Sequence, residues 1–163
     1  MRYIFFFFLT ICVSCRPINF SEKPNIILIV ADDLGYGDLS IFGNEYISTP
    51  NIDKLGNEGI ILTDFHSNGS VCSPTRAALL TGKYQQKVGV PGVITAKNHR
   101  DKGLSLDEKT FAEIAKEVGY KTGVFGKWHL GYDPKFSPIK QGFDEFIGFV
   151  SGNVDYHSHL DQE

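Results

Sequence analysis

The stretch Asn-Ile-Ile-Leu-Ile-Val-Ala-Asp-Asp-Leu-Gly-Tyr-Gly-Asp, residues 25–38, carries the pattern from which the fold class is predicted. Its first seven residues, 25–31, are an asparagine followed by a continuous apolar run rich in β-branched side chains. Such a run is typical of a strand that is buried on both faces of a parallel sheet. The polar, glycine-containing remainder begins with Asp32 and Asp33, and it predicts a loop at the end of that strand.

Helix signals follow this strand. Thr and Pro at 49–50 and Ser and Pro at 73–74 are typical N-cap and N1 pairs. Gly59 and Gly82 are expected to end the two helices. Between the helices, the sequence Ile-Ile-Leu-Thr-Asp-Phe at 60–65 predicts a second strand.

The second half of the chain continues the alternation of helices and strands. Residues 83–103 show little periodicity and predict a long loop, a kind of segment that is often functional. Residues 107–118 predict a third helix, in which Phe111, Ile114, Ala115 and Val118 recur at helical spacing and which Gly119 ends. Residues 120–126 predict a third strand, and residues 132–163 show no firm helix. Alternating strands and helices predict an α/β fold with a mainly parallel sheet.

Three polar groups each follow a predicted strand: Asp32 with Asp33, Cys72, and Lys127 with His129. In an α/β fold the carboxyl ends of parallel strands share one edge of the sheet, and ligands bind along that edge. We therefore expect these side chains to converge on one site.

Asp32 and Asp33 are adjacent carboxylates, and their mutual repulsion favours a cation between them. Carboxylate oxygens are preferred ligands of Ca²⁺ and Mg²⁺. The alternative interpretation is a helix cap followed by a solvated turn.

Cys72 precedes the predicted helix that starts at Ser73, so it lies where backbone N–H groups and the helix dipole attract anions and stabilise a thiolate. Arg76 lies one turn further on and offers a planar set of donors to an oxyanion. The alternatives are a buried structural cysteine and a capped surface helix with a solvated arginine.

Lys127 and His129 alternate on an extended segment, so both are expected to face one side. Lysine is suited to binding a polyanion, and histidine is suited to proton transfer near neutral pH. Trp128, which lies between them, is expected to pack into the core.

The first residues predict export. Arg2 is followed by an uncharged apolar run at 3–13, which is too short to cross a membrane but fits a secretory signal. Val-Ser-Cys at 13–15 is similar to a bacterial lipobox, so Cys15 is expected to carry a lipid; a plainly cleaved signal is the alternative. The expected organisation is a signal peptide at 1–15, a tether at 16–24 and a catalytic region at 25–163, located in the periplasm or on the cell surface.

The overall charge does not point to nucleic acid as a partner. The 163 residues contain 16 basic and 19 acidic side chains, for a formal net charge of -3. No cluster of lysine and arginine stands out, so the sequence does not favour nucleic-acid binding.

The stretch Cys-Ser-Pro-Thr-Arg-Ala-Ala-Leu-Leu-Thr-Gly, residues 72–82, resembles the signature of the sulfatase family. Further segments resemble the same family in the same order: residues 25–38, Thr-Pro-Asn-Ile-Asp-Lys-Leu at 49–55, Gly-Tyr-Lys-Thr-Gly-Val-Phe-Gly-Lys-Trp-His-Leu-Gly at 119–131, Gly-Phe-Asp at 142–144 and Gly-Phe at 148–149. The resemblance implies an alkaline-phosphatase-like α/β/α sandwich and hydrolysis of aryl or carbohydrate sulfate esters.

The resemblance also implies roles for individual residues. Cys72 would be oxidised by a maturase to formylglycine, whose hydrated aldehyde attacks sulfur and later expels sulfate. Asp32 and Asp33 would bind Ca²⁺, with Mg²⁺ as the alternative, together with the oxygen on residue 72. Arg76 and Lys127 would hold the diol and sulfate oxygens.

His129 would bind the diol and assist elimination, and His157 is a candidate substrate contact, with a solvated loop as the alternative. Sulfatases run to several hundred residues, so the resemblance implies further metal ligands, a lysine and a histidine beyond residue 163. We expect residues 1–163 alone to be inactive. The rival functions are a formylglycine-dependent phosphonate or phosphate monoester hydrolase and a lipoprotein that binds sulfated glycans without turnover.

Overall fold

The computed structural model describes residues 23–161. The chain separates into two compact units, residues 1–34 and residues 35–163. The predicted signal peptide at 1–15, its lipid site Cys15 and most of the tether at 16–24 lie outside the described residues. Within residues 23–161, no helix is both long enough and apolar enough to span a bilayer.

The described part of the first unit, residues 23–34, contains no helix or strand. The predicted strand at 25–31 is therefore wrong as an assigned element. Its side chains are solvent-exposed, with Ile27 at 84% and Ile29 at 82% of full exposure. An apolar, β-branched run favours extended backbone, but a strand also needs a neighbour that accepts and donates its backbone hydrogen bonds.

The second unit begins with two short 3-10 helices, Tyr36–Asp38 and Ser40–Phe42, followed by helix α1, Pro50–Glu58. The predicted boundaries of α1 are confirmed, since Thr49 is its N-cap and Gly59 its C-cap.

Asp53 connects α1 to the preceding loop. Its carboxylate accepts hydrogen bonds from Ser40 Oγ at 2.6 Å, from Thr49 Oγ1 at 2.8 Å and from the backbone N–H of Ile41 at 3.1 Å. The Ser40 hydroxyl is the main cause of a lowered pKa at Asp53, supported by Thr49 and Ile41. This carboxylate therefore fixes the loop against the helix.

The second predicted strand, residues 60–65, is also wrong, because no strand forms there and Ile60 is 90% exposed. The physical reason is again the lack of a paired neighbour. Helix α2, Cys72–Thr81, follows and ends as predicted at Gly82. Gly82 is left-handed, with φ of 65°, and its N–H donates to the carbonyl of Ala78 at 2.8 Å.

The loop predicted at 83–103 is confirmed, since it contains turns and no helix or strand. Helix α3 comprises Phe111–Glu117, so it begins later than the predicted residue 107. Thr110 and Glu113 form a reciprocal capping box at its start.

The apolar residues that recur along α3 do not form its buried face. Phe111, Ile114 and Val118 are exposed, while Ala112 is fully buried. The buried Thr110 hydroxyl donates to the carbonyl of Gln141 at 2.7 Å. This contact fixes the start of the helix, and the small Ala112 side chain enters the core.

Strands β1, Gly123–Lys127, and β2, Glu145–Phe149, form a two-stranded parallel sheet in which Gly123 pairs with Glu145 and Lys127 with Phe149. The third predicted strand is therefore confirmed, shifted toward its C-terminal end. β2 lies in the region for which no firm helix was predicted, and the sequence analysis missed it. Two 3-10 helices, Pro134–Phe136 and Pro138–Gln141, connect the strands.

The core of the second unit lies directly beyond the end of β1. Trp128 is 2% exposed, as predicted, and Leu130 is fully buried. The indole N–H of Trp128 donates to the carbonyl of Phe136 at 2.9 Å, and its ring meets Phe143 edge-on at 6.0 Å. The core is completed by buried apolar residues from the loop and α-helices: Ala77, Val88, Val90, Ile94, Leu104 and Ala112. Packing of residues 128–130 thus fixes the end of β1.

Asp144 joins the two strands at their start. Lys116 Nζ lies 2.8 Å from one carboxylate oxygen, and the backbone N–H of Thr122 donates to the other at 2.9 Å. These contacts, led by the Lys116 hydrogen bond, lower the pKa of Asp144 to about 2. The ionised carboxylate therefore stabilises the folded chain.

We expect Asp144→Asn to lower the denaturation midpoint modestly at neutral pH, since the contacts are partly exposed. Because the folded pKa of Asp144 lies near 2, below the ordinary value of 3.8 for an aspartate, its contribution is complete above about pH 4 and is lost as pH falls through 2. Denaturant titrations between pH 2 and 6 should show a difference between variant and wild type that shrinks toward the acid end. The control is Glu145→Gln, an exposed neighbouring acid; an equal loss in both variants would contradict this role.

Candidate functional site

Helix α2 presents Cys72 at its first residue. The N-cap is Val71, with extended backbone, so the helix starts one residue before the predicted N-cap Ser73. Cys72 is partly exposed, whereas Ser73 and Pro74 are buried. Cys72 therefore occupies the helix N-terminus, where unsatisfied N–H groups and the dipole favour negative charge.

Lys127, the last residue of β1, reaches this helix end. Its ammonium Nζ lies 3.1 Å from Cys72 Sγ and donates a hydrogen bond to it. The two residues are 55 positions apart in sequence, so this contact exists only because of the tertiary fold. A cation and a helix N-terminus thus meet at the same sulfur atom.

Arg76 lies one turn further into α2 and also contacts the end of β1. Its Nη1 donates to the backbone carbonyl of Lys127 at 2.5 Å. This bond uses one of the five N–H donors of the guanidinium. Arg76 therefore fastens the strand end beside the helix that carries Cys72.

His129 departs from the predicted alternation with Lys127. Its φ is 56°, so the backbone leaves the extended conformation, and its side chain is buried at 2% exposure. Its Nε2 lies 2.8 Å from the carbonyl oxygen of Ile94. Because a carbonyl only accepts hydrogen bonds, Nε2 carries the proton, and Nδ1 is the basic nitrogen of the neutral ring.

Ile94 and Ser73 also belong to this arrangement, although neither is predicted from the sequence as a site residue. The N–H of Ile94 donates to Ser73 Oγ at 3.1 Å, while the carbonyl of Ile94 binds His129. Ser73 is fully buried and Ile94 is 5% exposed. One peptide segment of the 83–103 loop therefore connects the residue next to Cys72 with His129. The only sequence signal was the unusual length of that loop.

Asp32 and Asp33 belong to the first unit. Both are exposed, and a carboxylate oxygen of one lies within 4.8 Å of a carboxylate oxygen of the other. Asp33 is left-handed with φ of 58°. Among residues 23–161, three non-glycine residues have positive φ, and two of them, Asp33 and His129, are predicted site residues. Such backbone conformations concentrate at functional sites.

His157 is placed differently from the other predicted residues. It is exposed, and its backbone N–H donates to Asp155 Oδ1 at 3.0 Å. The N–H groups of Ser158 and His157 and the Ser158 hydroxyl lower the pKa of Asp155. His157 thus lies on a locally bonded loop, and the hydrogen bonds that join Cys72, Arg76 and Lys127 do not include it.

The grouped residues can bind and orient an anion. The N-terminus of α2 and the Lys127 ammonium both favour negative charge at the side chain of residue 72. His129, with its Nε2 proton fixed by Ile94, can accept a proton at Nδ1. This combination suits a reaction in which the side chain of residue 72 attacks an anionic group.

We expect Ser73→Ala to destabilise the chain by about 1–3 kcal/mol, because the buried N–H of Ile94 loses its acceptor. The measurement is denaturant unfolding. ¹⁵N NMR of the His129 ring should also show a weaker preference for the Nε2 proton, since the Ile94 carbonyl is held less firmly. The control is Ser67→Ala at an exposed hydroxyl, with an expected change within about 0.5 kcal/mol. Equal stabilities of the two variants would contradict the role of Ser73.

Comparison with known proteins gives consistent similarities. Residues 24–163 match the family model described as Sulfatase. The chain is 49% identical over 131 residues to Arylsulfatase A of Homo sapiens, covering 78% of this chain and 25% of that protein. It is similar to a solved structure titled "Crystal structure of Ps i-CgsB", with a TM-score of 0.79, 44% identity and coverage of 83% of this chain and 30% of the other. A second structure of Ps i-CgsB, in complex with k-i-k-neocarrahexaose, matches with a TM-score of 0.79 and 43% identity, over 83% of this chain and 30% of that chain.

These similarities identify the fold class and show how much of the length of its relatives the chain spans. The predicted fold class, an alkaline-phosphatase-like α/β fold with a parallel sheet, is confirmed by the structural neighbours. The chain spans about a quarter of the length of the curated relatives it matches.

Proposed function

The chain belongs to the sulfatase family, and from that premise we propose that the full-length protein hydrolyses sulfate esters. The observation that carries the proposal is the hydrogen bond from Lys127 Nζ to Cys72 Sγ, 3.1 Å long, at the N-terminus of α2. It places a cation and a helix dipole at the one side chain from which attack on a sulfate group would start.

The proposed nucleophile is formylglycine, formed from Cys72 by a maturase. When formed, the hydrated aldehyde supplies one oxygen that attacks sulfur and a second whose deprotonation releases sulfate. The surroundings of Cys72 fit this group, since Sγ stands where an oxygen would be attached to Cβ. An ammonium 3.1 Å away is a suitable donor to such an oxygen.

Lys127 binds and orients the anionic group in this proposal. Its ammonium donates to the oxygen on residue 72 and balances the charge of the ester's sulfate oxygens. Arg76 holds the carbonyl of Lys127, so that the ammonium is delivered to one place beside α2. A preorganised cation of this kind favours the transition state because it needs no rearrangement during the reaction.

His129 moves the proton in this proposal. The Ile94 carbonyl keeps hydrogen on Nε2, so Nδ1 is the atom that takes up and returns a proton. Burial of the ring at 2% exposure keeps bulk water from competing for that nitrogen.

Asp32 and Asp33 are the proposed metal ligands. Their carboxylate oxygens lie within 4.8 Å of each other, and hard oxygen donors of this type suit Ca²⁺, with Mg²⁺ as the alternative. When bound, such a cation lowers the pKa of a nearby hydroxyl and balances sulfate charge. In the proposal, the oxygen on residue 72 completes this ligand set.

The proposed substrate class is a sulfated glycan or a smaller sulfate ester. The structure of Ps i-CgsB in complex with k-i-k-neocarrahexaose supports an oligosaccharide substrate. The apolar run at 3–13 supports export to the periplasm or cell surface, with a lipid on Cys15. His157 is proposed as a substrate contact because its exposed loop is open to a ligand.

We expect the full-length protein from its native host to carry an aldehyde at residue 72. Peptide mass spectrometry should find a Cys72 peptide lighter than the thiol form and reactive with a hydrazide, and the same digest reads the mature N-terminus. Cys72→Ala should lose aryl sulfate turnover by roughly 10⁶-fold, as loss of a nucleophile does in other hydrolases.

The control for this experiment is a parallel assay with an aryl phosphonate ester on the same preparation. Faster turnover of the phosphonate than of the sulfate would assign the chain to phosphonate hydrolysis. A wholly unmodified thiol in protein that shows no turnover would favour glycan binding without catalysis.

We expect Asp32→Asn and Asp33→Asn each to weaken Ca²⁺ binding to the full-length protein. Wild-type protein in Ca²⁺ at about 100 times the dissociation constant should gain about 2.7 kcal/mol of unfolding free energy, and EDTA should remove it. Isothermal titration calorimetry measures the affinity for Ca²⁺, and thermal unfolding measures the gain in stability. The matched control is Asp101→Asn, an exposed loop acid, which should bind Ca²⁺ as wild type does; unchanged affinity in both site variants would refute the proposed ligands.

A further inference from the structure

The loop that contacts His129 also lines a partly open cavity of about 390 Å³. Small-ligand pockets span about 300–1,000 Å³, so this volume is sufficient for a small ligand or a single sugar unit. Residues 89–94 line the cavity and include the apolar residues Val90, Pro91, Val93 and Ile94. His99 and Lys102 also line it. The cavity lining therefore combines apolar and basic residues.

Two turns bring the basic side chains to the same cavity. The N–H of His99 donates to the carbonyl of Thr95 at 2.9 Å, and the N–H of Lys102 donates to the carbonyl of His99 at 3.0 Å. The N–H of Thr95 also donates to His99 Nδ1 at 3.3 Å. Nδ1 is therefore an acceptor, and the ring carries its proton on Nε2. The side chains of His99 and Lys102 therefore both carry N–H groups that can donate hydrogen bonds to an anion.

The charge of this segment favours an anionic ligand. Residues 97–102 contain Lys97, Arg100 and Lys102 against one acid, Asp101. The Arg100 guanidinium stacks over the Tyr132 ring, 5.9 Å from its centroid, which fixes part of this charge beside the cavity. Positive potential at a partly enclosed site raises the local concentration of anions.

The cavity shares a wall with the candidate site. Ile94 lines it, and the backbone of the same residue binds Ser73 Oγ and His129 Nε2. A ligand held in the cavity would therefore lie next to the peptide that orients His129. Because the cavity is separate from the bonds around Cys72, it suits a part of the substrate that does not react.

We propose that the cavity lined by residues 89–94, His99 and Lys102 is a subsite for a sulfate- or carboxylate-bearing sugar, adjacent in the glycan to the sugar whose ester is hydrolysed. The inference rests on the proposed sulfatase function. The C–H face of the sugar packs on Pro91 and Val93, and its anionic group accepts hydrogen bonds from Lys102 and His99. The subsite distinguishes an anionic glycan from a small aryl sulfate, which does not reach it.

The test compares two substrates in the full-length protein: 4-nitrophenyl sulfate, and whichever fragment from carrageenan, chondroitin sulfate or heparin it turns over fastest. Lys102→Ala removes the cation, and Gly92→Phe adds a bulky side chain at a residue that lines the cavity. A Cβ at Gly92 meets no atom within 4 Å, so this side chain enters open space. The matched control is Lys97→Ala, which removes the same charge from an exposed residue outside the lining.

We expect Lys102→Ala to raise KM for the oligosaccharide by roughly tenfold, the size expected for a lost charge-assisted hydrogen bond. Gly92→Phe should raise the same KM because its ring competes with the sugar for space. Kinetics with 4-nitrophenyl sulfate should stay unchanged, and Lys97→Ala should change neither substrate by more than about twofold. Equal effects on both substrates, or none with either, would overturn the subsite.

The remaining outcomes separate this inference from the function on which it rests. Turnover of the aryl sulfate without turnover of any oligosaccharide would refute the subsite and leave the sulfatase proposal standing. Turnover of neither substrate by protein that carries the aldehyde would refute the proposed function, and the subsite with it.

Discussion

Two hydrogen bonds between α2 and the end of β1 are the contacts on which the candidate site depends. One runs from Lys127 Nζ to Cys72 Sγ, and the other from Arg76 Nη1 to the carbonyl of Lys127. They connect residues 55 and 51 positions apart. Without them the helix N-terminus and the lysine would be separate features. With them, a side chain at an anion-favouring helix end has a cation within hydrogen-bonding distance.

The end of β1 is held in place by packing as well as by these bonds. Trp128 and Leu130 follow Lys127 directly and are buried in the core, which fixes the backbone on which the site residues lie. His129 lies between them with a left-handed backbone and a buried ring that bonds Ile94. The core and the candidate site thus use neighbouring residues, so loosening the core at 128–130 would also displace Lys127 and His129.

The sequence predicted local structure best at the ends of helices, where a proline or a glycine has one clear physical reason to be present. Pro50 at the start of α1 and Gly82 at the end of α2 lie where the cap rules place them. The predicted strands at 25–31 and 60–65 failed because an apolar run specifies backbone preference without specifying a partner. β2 was missed for the opposite reason, since its weakly patterned sequence, Glu-Phe-Ile-Gly-Phe, becomes a strand through pairing with β1.

The sequence by itself determined the residue types available for chemistry: Cys72 at a helix start, Arg76 one turn later, adjacent Asp32 and Asp33, and Lys127 with His129 after a strand. The order of these segments along the chain also identified the family. Tertiary structure alone decided that Ile94 links Ser73 to His129, that His129 turns into the core and that His99 and Lys102 line one cavity. The physical reason is that helix caps and charges are properties of neighbouring residues. Hydrogen bonds between distant segments depend on how the core packs, and no local pattern encodes that.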